Sequence, residues 1–100
     1  MSTFHLSITT PNGKVFENDI TFLSAPGQEG SVGILARHAP MITLLKSGNL
    51  KIERESQKEF FQINRGILEV DYSHNVLLLA DEALKLEGNQ TLKKEDALAH

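Results

Sequence analysis

Residues 25–40 read APGQEGSVGILARHAP, with three glycines spaced three residues apart, then an apolar pair and a turn at residues 38–40. Glycine permits tight chain reversals and close approach of another backbone. The flanking sequence consists of short predicted β-strands. We therefore expect this stretch to be a docking loop carried by a rigid β body.

Alternation of apolar and polar residues predicts strands on both sides of the loop. Before it, the predicted strands are residues 4–8, 14–16 and 20–24. Ile20, Phe22 and Ser24 are expected to share one face of the third strand. A Pro-Asn-Gly turn at residues 11–13 joins the first two strands, because proline presets one dihedral angle and Asn-Gly tolerates positive φ.

After the loop, the predicted strands are residues 41–45, 50–55, 61–63, 67–70 and 76–80. We expect residues 41–45 to form a buried strand. Residues 76–80 are apolar on both faces, which predicts a central position between two layers. Gly66 predicts a bulge or bend, an interpretation we favour over a groove for another chain. Turns every eight to twelve residues are typical of an antiparallel sandwich or barrel.

One hundred residues suffice for a single domain, which we place at residues 1–87. Residues 88–100 form a predicted tail, with a short helix at residues 92–99 that is marginal unless it docks. The amino terminus shows no signal-peptide pattern, and the apolar runs are too short to cross a bilayer. The sequence predicts a soluble protein.

Composition excludes several classes of function. The chain has 13 acidic and 10 basic residues and a net charge of -3, with the two signs interspersed. A nucleic-acid binder needs a concentrated basic face, so this class is disfavoured. Because the chain has no cysteine, disulfides, thiolate nucleophiles and zinc–thiolate sites are excluded.

The chemical motifs are weak. The glycine loop lacks the Gly-Lys-Ser/Thr of a phosphate-binding loop and the glycine spacing of a dinucleotide fingerprint. His38 is the best candidate for a chemical role, although a lone histidine there is more often a hydrogen-bonded turn residue. The four histidines show no metal-ligand spacing. An enzyme using His38 would need a neighbouring acid and a pocket, which the sequence does not indicate.

At these residues the chain resembles a known family, the epsilon subunit of bacterial F-type ATP synthases, counterpart of the mitochondrial delta subunit. The resemblance covers about residues 4–83. Its specific signatures are Gly-x-x-Gly-x-x-Gly-Ile at residues 27–34, the His-Ala-Pro turn at residues 38–40, and Gly-Ile-Leu-Glu-Val at residues 66–70.

The resemblance implies a mainly β fold, a flattened two-layer antiparallel β-sandwich of about ten strands with a short C-terminal helical stub. It also implies a non-catalytic central-stalk (rotor) subunit that binds the gamma subunit and the c-ring and couples proton translocation to ATP synthesis. Such a subunit has no cofactor, metal or catalytic residue. It would sit peripherally at the cytoplasmic face of the bacterial inner membrane, held there by the complex.

Positions carried over from the family give two sets of contact residues. Those implied for the c-ring are Glu29, Gly30, Ser31 and Val32. Those implied for the gamma subunit are Thr10, His38, Pro40 and Thr43. Ser31 and Arg65 depart from the acidic and small residues frequent in the family, and the family's inhibitory helical pair is not expected here. The alternative interpretation is a free-standing β-sandwich that binds some other protein through the same loop.

Overall fold

The computed structural model describes residues 2–86 of the chain. Within them the chain forms eight strands joined by short turns. The strands are β1 (Phe4–Thr10), β2 (Gly13–Ile20), β3 (Phe22–Gly27), β4 (Gly30–Ile34), β5 (Met41–Leu45), β6 (Gly48–Arg54), β7 (Gln57–Val70) and β8 (Val76–Leu86).

The first hairpin forms as the sequence predicts. Pro11 and Asn12 make the turn, and Thr10 pairs with Gly13, whose φ of 124° suits glycine alone. The hydroxyl of Thr10 accepts a hydrogen bond from the Asn12 backbone N–H at 3.2 Å. Local turn chemistry therefore sets the pairs next to the turn, and an irregularity between Ile8 and Thr9 shifts the register by one residue for the rest of the hairpin.

The strands form one folded sheet in the order β2-β1-β8-β7-β5-β3-β4, and β6 pairs with both β3 and β7. The predicted β-sandwich is confirmed. Among the pairings of residues 2–86, seven are antiparallel and one, β1 with β8, is parallel. Alternation within a strand does not reveal its neighbour's direction, so the sequence did not predict the parallel pair.

A bend at Arg65 and Gly66 divides β7 between the two layers. Residues 57–63 pair with β6, and residues 66–70 pair with β5. Arg65 adopts a φ of 55°, and the buried positions change from Phe61 and Ile63 to Leu68 and Val70. Residues 2–86 form eight strands instead of the expected ten or so, because β7 and β8 each continue through the bend without a break.

Close packing at the bend requires glycine at position 66. A Cβ there would collide with the carbonyl oxygen of Leu79 on the paired strand. The guanidinium of Arg65 donates to the Asp81 carboxylate at 3.0 Å on the outside of the same bend. The predicted bend at Gly66 is therefore confirmed as a site of close strand approach.

A single hydrophobic core lies between the layers. Phe16 of β2 meets Phe61 of β7 edge to face, with ring centroids 5.7 Å apart. The fully buried large side chains are Leu6, Ile8, Ile20, Leu23, Ile34, Leu45, Leu50, Ile52, Phe61, Ile63, Leu68 and Leu78. Side chains from every strand reach this core, so both layers depend on one packed interior.

The predicted shared face of Ile20, Phe22 and Ser24 is wrong. Ile20 ends β2, and in β3 the buried residues are Leu23 and Ala25. Thr21 separates the two strands, since its backbone N–H and its hydroxyl both donate to one carbonyl of β6, at 2.8 and 2.9 Å. This local break shifts the alternation by one residue.

The predicted helix at residues 92–99 lies outside the described residues, and the domain boundary at residue 87 stays a prediction. Across residues 2–86, no helix has the length and apolar character needed to cross a bilayer.

Candidate functional site

The outer surface of strands β5, β7 and β8 carries a continuous group of exposed apolar side chains. Leu44 pairs with Ile67, which pairs with Leu79, so these three form one row across the sheet. Ile42 and Leu77 flank Glu69 in the next outward-facing row. We call the five apolar residues Ile42, Leu44, Ile67, Leu77 and Leu79 the apolar face.

Each side chain of the apolar face is between 36% and 71% exposed. Single exposed hydrophobic residues are normal, but a contiguous group on one sheet face marks a surface that another molecule covers. Glu69 places one carboxylate within this face. A partner that buries the face therefore has to supply a hydrogen-bond donor or a positive charge opposite Glu69.

The apolar face overturns two expectations about burial. Residues 41–45 do form a strand, but Ile42 and Leu44 point outward instead of being buried. Residues 76–80 bury alternate positions only, which leaves Leu77 and Leu79 exposed. A two-layer sandwich has one interior, so a strand within it buries one face and presents the other to solvent.

The sequence held a signal for this face that we interpreted differently. Two runs apolar on both faces, in a chain predicted to have two layers, exceed what one interior can bury. The excess has to lie outside, where it marks a binding surface. That reasoning identifies the two strands, but the register that joins them with Ile67 comes only from the structure.

One residue predicted to contact the gamma subunit adjoins the apolar face directly. Thr10 ends β1 and shares a shallow groove with Ile67 and Leu79. It was not predicted from the apolar pattern, so its position beside the apolar face is an independent observation. Thr43 lies on β5 between Ile42 and Leu44, but it pairs with the buried Leu68, so its side chain is on the opposite face of the sheet.

The other two predicted gamma contacts lie on the segment that leads into β5. Pro40 immediately precedes this strand. The ring Nδ1 of His38 hydrogen-bonds to the Ala39 carbonyl at 2.8 Å, and the His38 carbonyl accepts from the ring of His74 at 3.1 Å. These contacts agree with the interpretation of His38 as a turn residue.

The predicted loop proves to be a β-hairpin with a two-residue turn at Gln28 and Glu29, flanked by paired Gly27 and Gly30. Gly30 has a φ of 131°, a backbone conformation that side-chain-bearing residues rarely adopt. We call residues 28–32 the hairpin tip. It includes the predicted c-ring contacts Glu29, Gly30, Ser31 and Val32, of which the first three are exposed and Val32 is half-buried.

The structure brings one predicted gamma contact, Thr43, together with the four predicted c-ring contacts. The hairpin tip and residues 42–44 of β5 line one concave surface. The backbone N–H of Gln28 donates to the Leu44 carbonyl at 3.2 Å, and that of Lys46 donates to the Pro26 carbonyl at 2.9 Å. The hairpin is therefore held against the end of β5, beside the apolar face.

Two observations bear on the chemistry available in residues 2–86. Among residues 2–86, no group of three or more histidine, cysteine, aspartate or glutamate side chains is arranged to hold a metal ion. The hydrogen bonds of the His38 side chain in this part of the chain involve a backbone carbonyl and no carboxylate. What the arrangement supplies is a shaped surface, apolar at its centre, with the hairpin at one side.

The outer surface of β1 and β2, next to the apolar face, carries charged side chains. The ring of His5 meets the carboxylates of Glu17 at 2.8 Å and Asp19 at 3.1 Å. Hydrogen bonds to Glu17 and then to Asp19 raise the pKa of His5 above its ordinary value. Hydrogen bonds from Lys14 and His5 lower the pKa of Glu17.

Comparison with known proteins identifies one family. Residues 3–86 match the family model described as ATP synthase, Delta/Epsilon chain, beta-sandwich domain. The chain is 37% identical over 99 residues to the ATP synthase epsilon chain of Campylobacter concisus, covering 98% of this chain and 76% of that protein.

Two solved structures share the fold. A chain in the Euglena gracilis mitochondrial ATP synthase, in a structure of OSCP, F1 and the c-ring, matches 99% of this chain with a TM-score of 0.80 and 23% identity. A chain in the central stalk and c-ring of the Tetrahymena thermophila mitochondrial ATP synthase matches 83% with a TM-score of 0.73 and 17% identity. This chain covers 66% of each of them.

Proposed function

The chain belongs to the delta/epsilon family of ATP synthase subunits, and we propose that it is a non-catalytic central-stalk subunit linking the gamma subunit to the c-ring. In this role it couples proton translocation to ATP synthesis by holding two parts of the rotor together. The observation that carries the proposal is the apolar face lying directly beside the hairpin tip. Solved structures with the same fold come from ATP synthase assemblies that include the c-ring.

The gamma subunit is the partner we assign to the apolar face. Thr10, which the family resemblance implies as a gamma contact, borders this face. Its five side chains provide the desolvated centre that a lasting interface requires. Glu69 adds a requirement for a basic or hydrogen-bonding residue of gamma at that position, which gives the contact specificity.

The c-ring is the partner we assign to the hairpin tip. Glu29 is its only charged residue, and its carboxylate is available to pair with basic groups on the polar loops of the ring. The small side chains at Gly30 and Ser31 let a second surface approach the backbone closely. Through these contacts the protein is peripheral to the membrane, on the cytoplasmic face of a bacterial inner membrane.

The fold suits a part that transmits torque. Strands β7 and β8 keep one continuous register through the bend, from Phe60–Leu86 to Val70–Val76. One core contacts both layers, so the layers cannot slide without disrupting close-packed side chains. A rigid body of this kind carries force between two partners without needing chemistry of its own.

Co-purification tests the gamma assignment. Wild-type protein, co-expressed with the gamma subunit and the c-ring of the same organism, is expected to isolate with both. Leu44→Glu places a charge in the apolar face and is expected to lower gamma affinity by at least tenfold. Lys14→Glu introduces the same residue in the same outward-facing row, on β2, and serves as the matched control with affinity unchanged.

The c-ring assignment is tested with a separate variant. Glu29→Lys reverses the one charge of the hairpin tip without adding a bulky ring to the concave surface, and it is expected to reduce c-ring recovery while gamma is retained. If wild-type protein isolates with neither partner, the central-stalk proposal is wrong. Recovery of an unrelated protein through the hairpin tip would instead favour the free-standing binding module.

A further inference from the structure

Strand β5 has an open edge. One of its sides pairs with β7 along its whole length, Met41 to Val70 through Leu45 to Gly66. Its other side pairs with β3 at a single position, Leu45 with Gly27. Over residues 41–43 of the described structure, this second side therefore has no neighbouring strand.

The backbone groups that face the open edge follow from the hydrogen bonds that exist. The Leu44 carbonyl accepts from Gln28, so Leu44 directs its backbone groups away from β7. Backbone groups alternate in direction along a strand, so those of Ile42 point the same way. Within residues 2–86, the N–H and carbonyl of Ile42 and the N–H of Leu44 make no backbone hydrogen bond there.

The exposed edge of β2 is protected in a way that β5 is not. Among the strands of residues 2–86, β2 pairs with β1 alone, and it carries Lys14, Glu17 and Asp19. Charged residues of this kind discourage other chains from adding a strand. Strand β5 reads Met-Ile-Thr-Leu-Leu, with no charge and no proline within it, so nothing in its sequence opposes strand addition.

We infer that the open edge of β5 receives an extended segment of the gamma subunit, which adds a short strand to this sheet. The inference rests on the function proposed above and specifies how gamma binds. Ile42 and Leu44 carry the open backbone groups and also contribute two side chains to the apolar face. A partner covering that face therefore reaches the edge without a gap.

The occupant follows from the chemistry of the edge. Unpaired N–H and carbonyl groups in a row select an extended backbone, and neighbouring apolar side chains select alternate apolar residues on it. The concave surface between β5 and the hairpin tip provides the space. Because the unpaired groups in the described structure are the N–H and carbonyl of Ile42 and the N–H of Leu44, the added strand is three or four residues long and makes two or three backbone hydrogen bonds.

A pair of variants at one position separates backbone from side chain. Ile42→Pro removes the outward N–H, which proline tolerates on an open strand edge. Ile42→Ala trims the side chain and keeps the N–H. Both proteins are expected to melt at similar temperatures, while Ile42→Pro binds gamma about tenfold more weakly than Ile42→Ala. Isothermal titration with purified gamma subunit measures the difference.

Amide hydrogen exchange on the wild-type complex provides the second measurement and does not depend on the proline variant folding. Gamma binding is expected to slow exchange at the Ile42 and Leu44 amides at least tenfold. The Thr43 amide points toward β7 and serves as the internal reference.

Equal gamma affinity of the two variants, or unchanged exchange at both amides while gamma stays bound, overturns strand addition and leaves the proposed function standing. Failure of wild-type protein to bind gamma overturns both. The two failures are therefore distinguishable.

Discussion

The outer surface of one sheet has two halves that differ in chemistry. On β5, β7 and β8 it carries the apolar face, whereas on β1 and β2 it carries His5, Ser7, Lys14, Glu17 and Asp19. Both halves belong to the same sheet and pack over the same hydrophobic core. Folding of this sheet therefore does not require apolar side chains on its outer surface. Their presence on β5, β7 and β8 indicates that this half is a contact surface.

The largest effect that we expect is a difference in stability between variants on the buried face and on the exposed face of strand β8. Leu78 is completely buried and its neighbour Leu79 is 45% exposed. Leu78→Ala leaves a cavity and is expected to lower the free energy of unfolding by about 3 kcal/mol. Leu79→Ala is expected to lower it by less than about 1 kcal/mol, because the side chain is already partly solvated. Urea denaturation followed by circular dichroism measures both.

The two variants are expected to affect gamma affinity in the opposite order from stability. Leu79→Ala removes part of the apolar face and is expected to weaken gamma binding several-fold, while folded Leu78→Ala protein keeps its affinity. If both variants destabilised the fold equally, Leu79 would belong to the core and the distinction between core and face would be lost.

A smaller effect is expected at the bend that turns the apolar residues outward. Gly66→Ala forces a Cβ against the Leu79 carbonyl and is expected to cost about 2 kcal/mol of stability. Gly33→Ala is the control, because its Cβ would lie 3.5 Å from the Phe22 ring, an ordinary contact. The control is expected to change stability by no more than about 0.5 kcal/mol. Thermal denaturation with equal losses for both would show that the bend has no special packing.

The smallest effect concerns the polar half. The pKa of His5 is raised by its hydrogen bonds to Glu17 and Asp19, so its folded-state pKa exceeds the unfolded value of about 6.5. The stabilisation is fully present below that unfolded value and is lost as pH rises through the folded pKa. Because these side chains are largely exposed, the change in stability is small.

Titration by nuclear magnetic resonance of the His5 ring protons measures this shift directly. In Glu17→Gln the pKa of His5 is expected to fall toward its ordinary value, because the first of the two carboxylates is neutralised. An unchanged pKa would mean that the pair does not form in solution. Gamma binding is expected to be the same in both proteins, since this half lies outside the apolar face.

The sequence predicted the local elements well because their causes are local. The turn at residues 11–13 and the strands on each side of it depend on dihedral preferences and on alternation over a few residues. The bend at Gly66 was predicted from the residue type alone, and its cause, the close approach of the Leu79 carbonyl, lies on another strand. The break at Thr21 was missed, because its cause is a hydrogen bond to the carbonyl of Glu53, 32 residues away in the chain. The sequence around Thr21 does not indicate a hydrogen-bond partner so far away in the chain.

The candidate site was predictable only in part. The sequence predicted a buried strand at residues 41–45 and a strand apolar on both faces at residues 76–80, but it did not show which face of each would lie outside. The predicted contacts Thr10 and Thr43 came from a family resemblance and not from their surroundings. The position of Thr10 beside Ile67 and Leu79 required coordinates.

The amino-acid sequence by itself determined the β class, the main turns and the family, because each follows from residues close together in the chain. Only the tertiary structure decided the parallel pairing of β1 with β8, the assembly of the apolar face and the open edge of β5. These features depend on register between strands distant in sequence, and register is fixed when one face of every strand competes for a single interior.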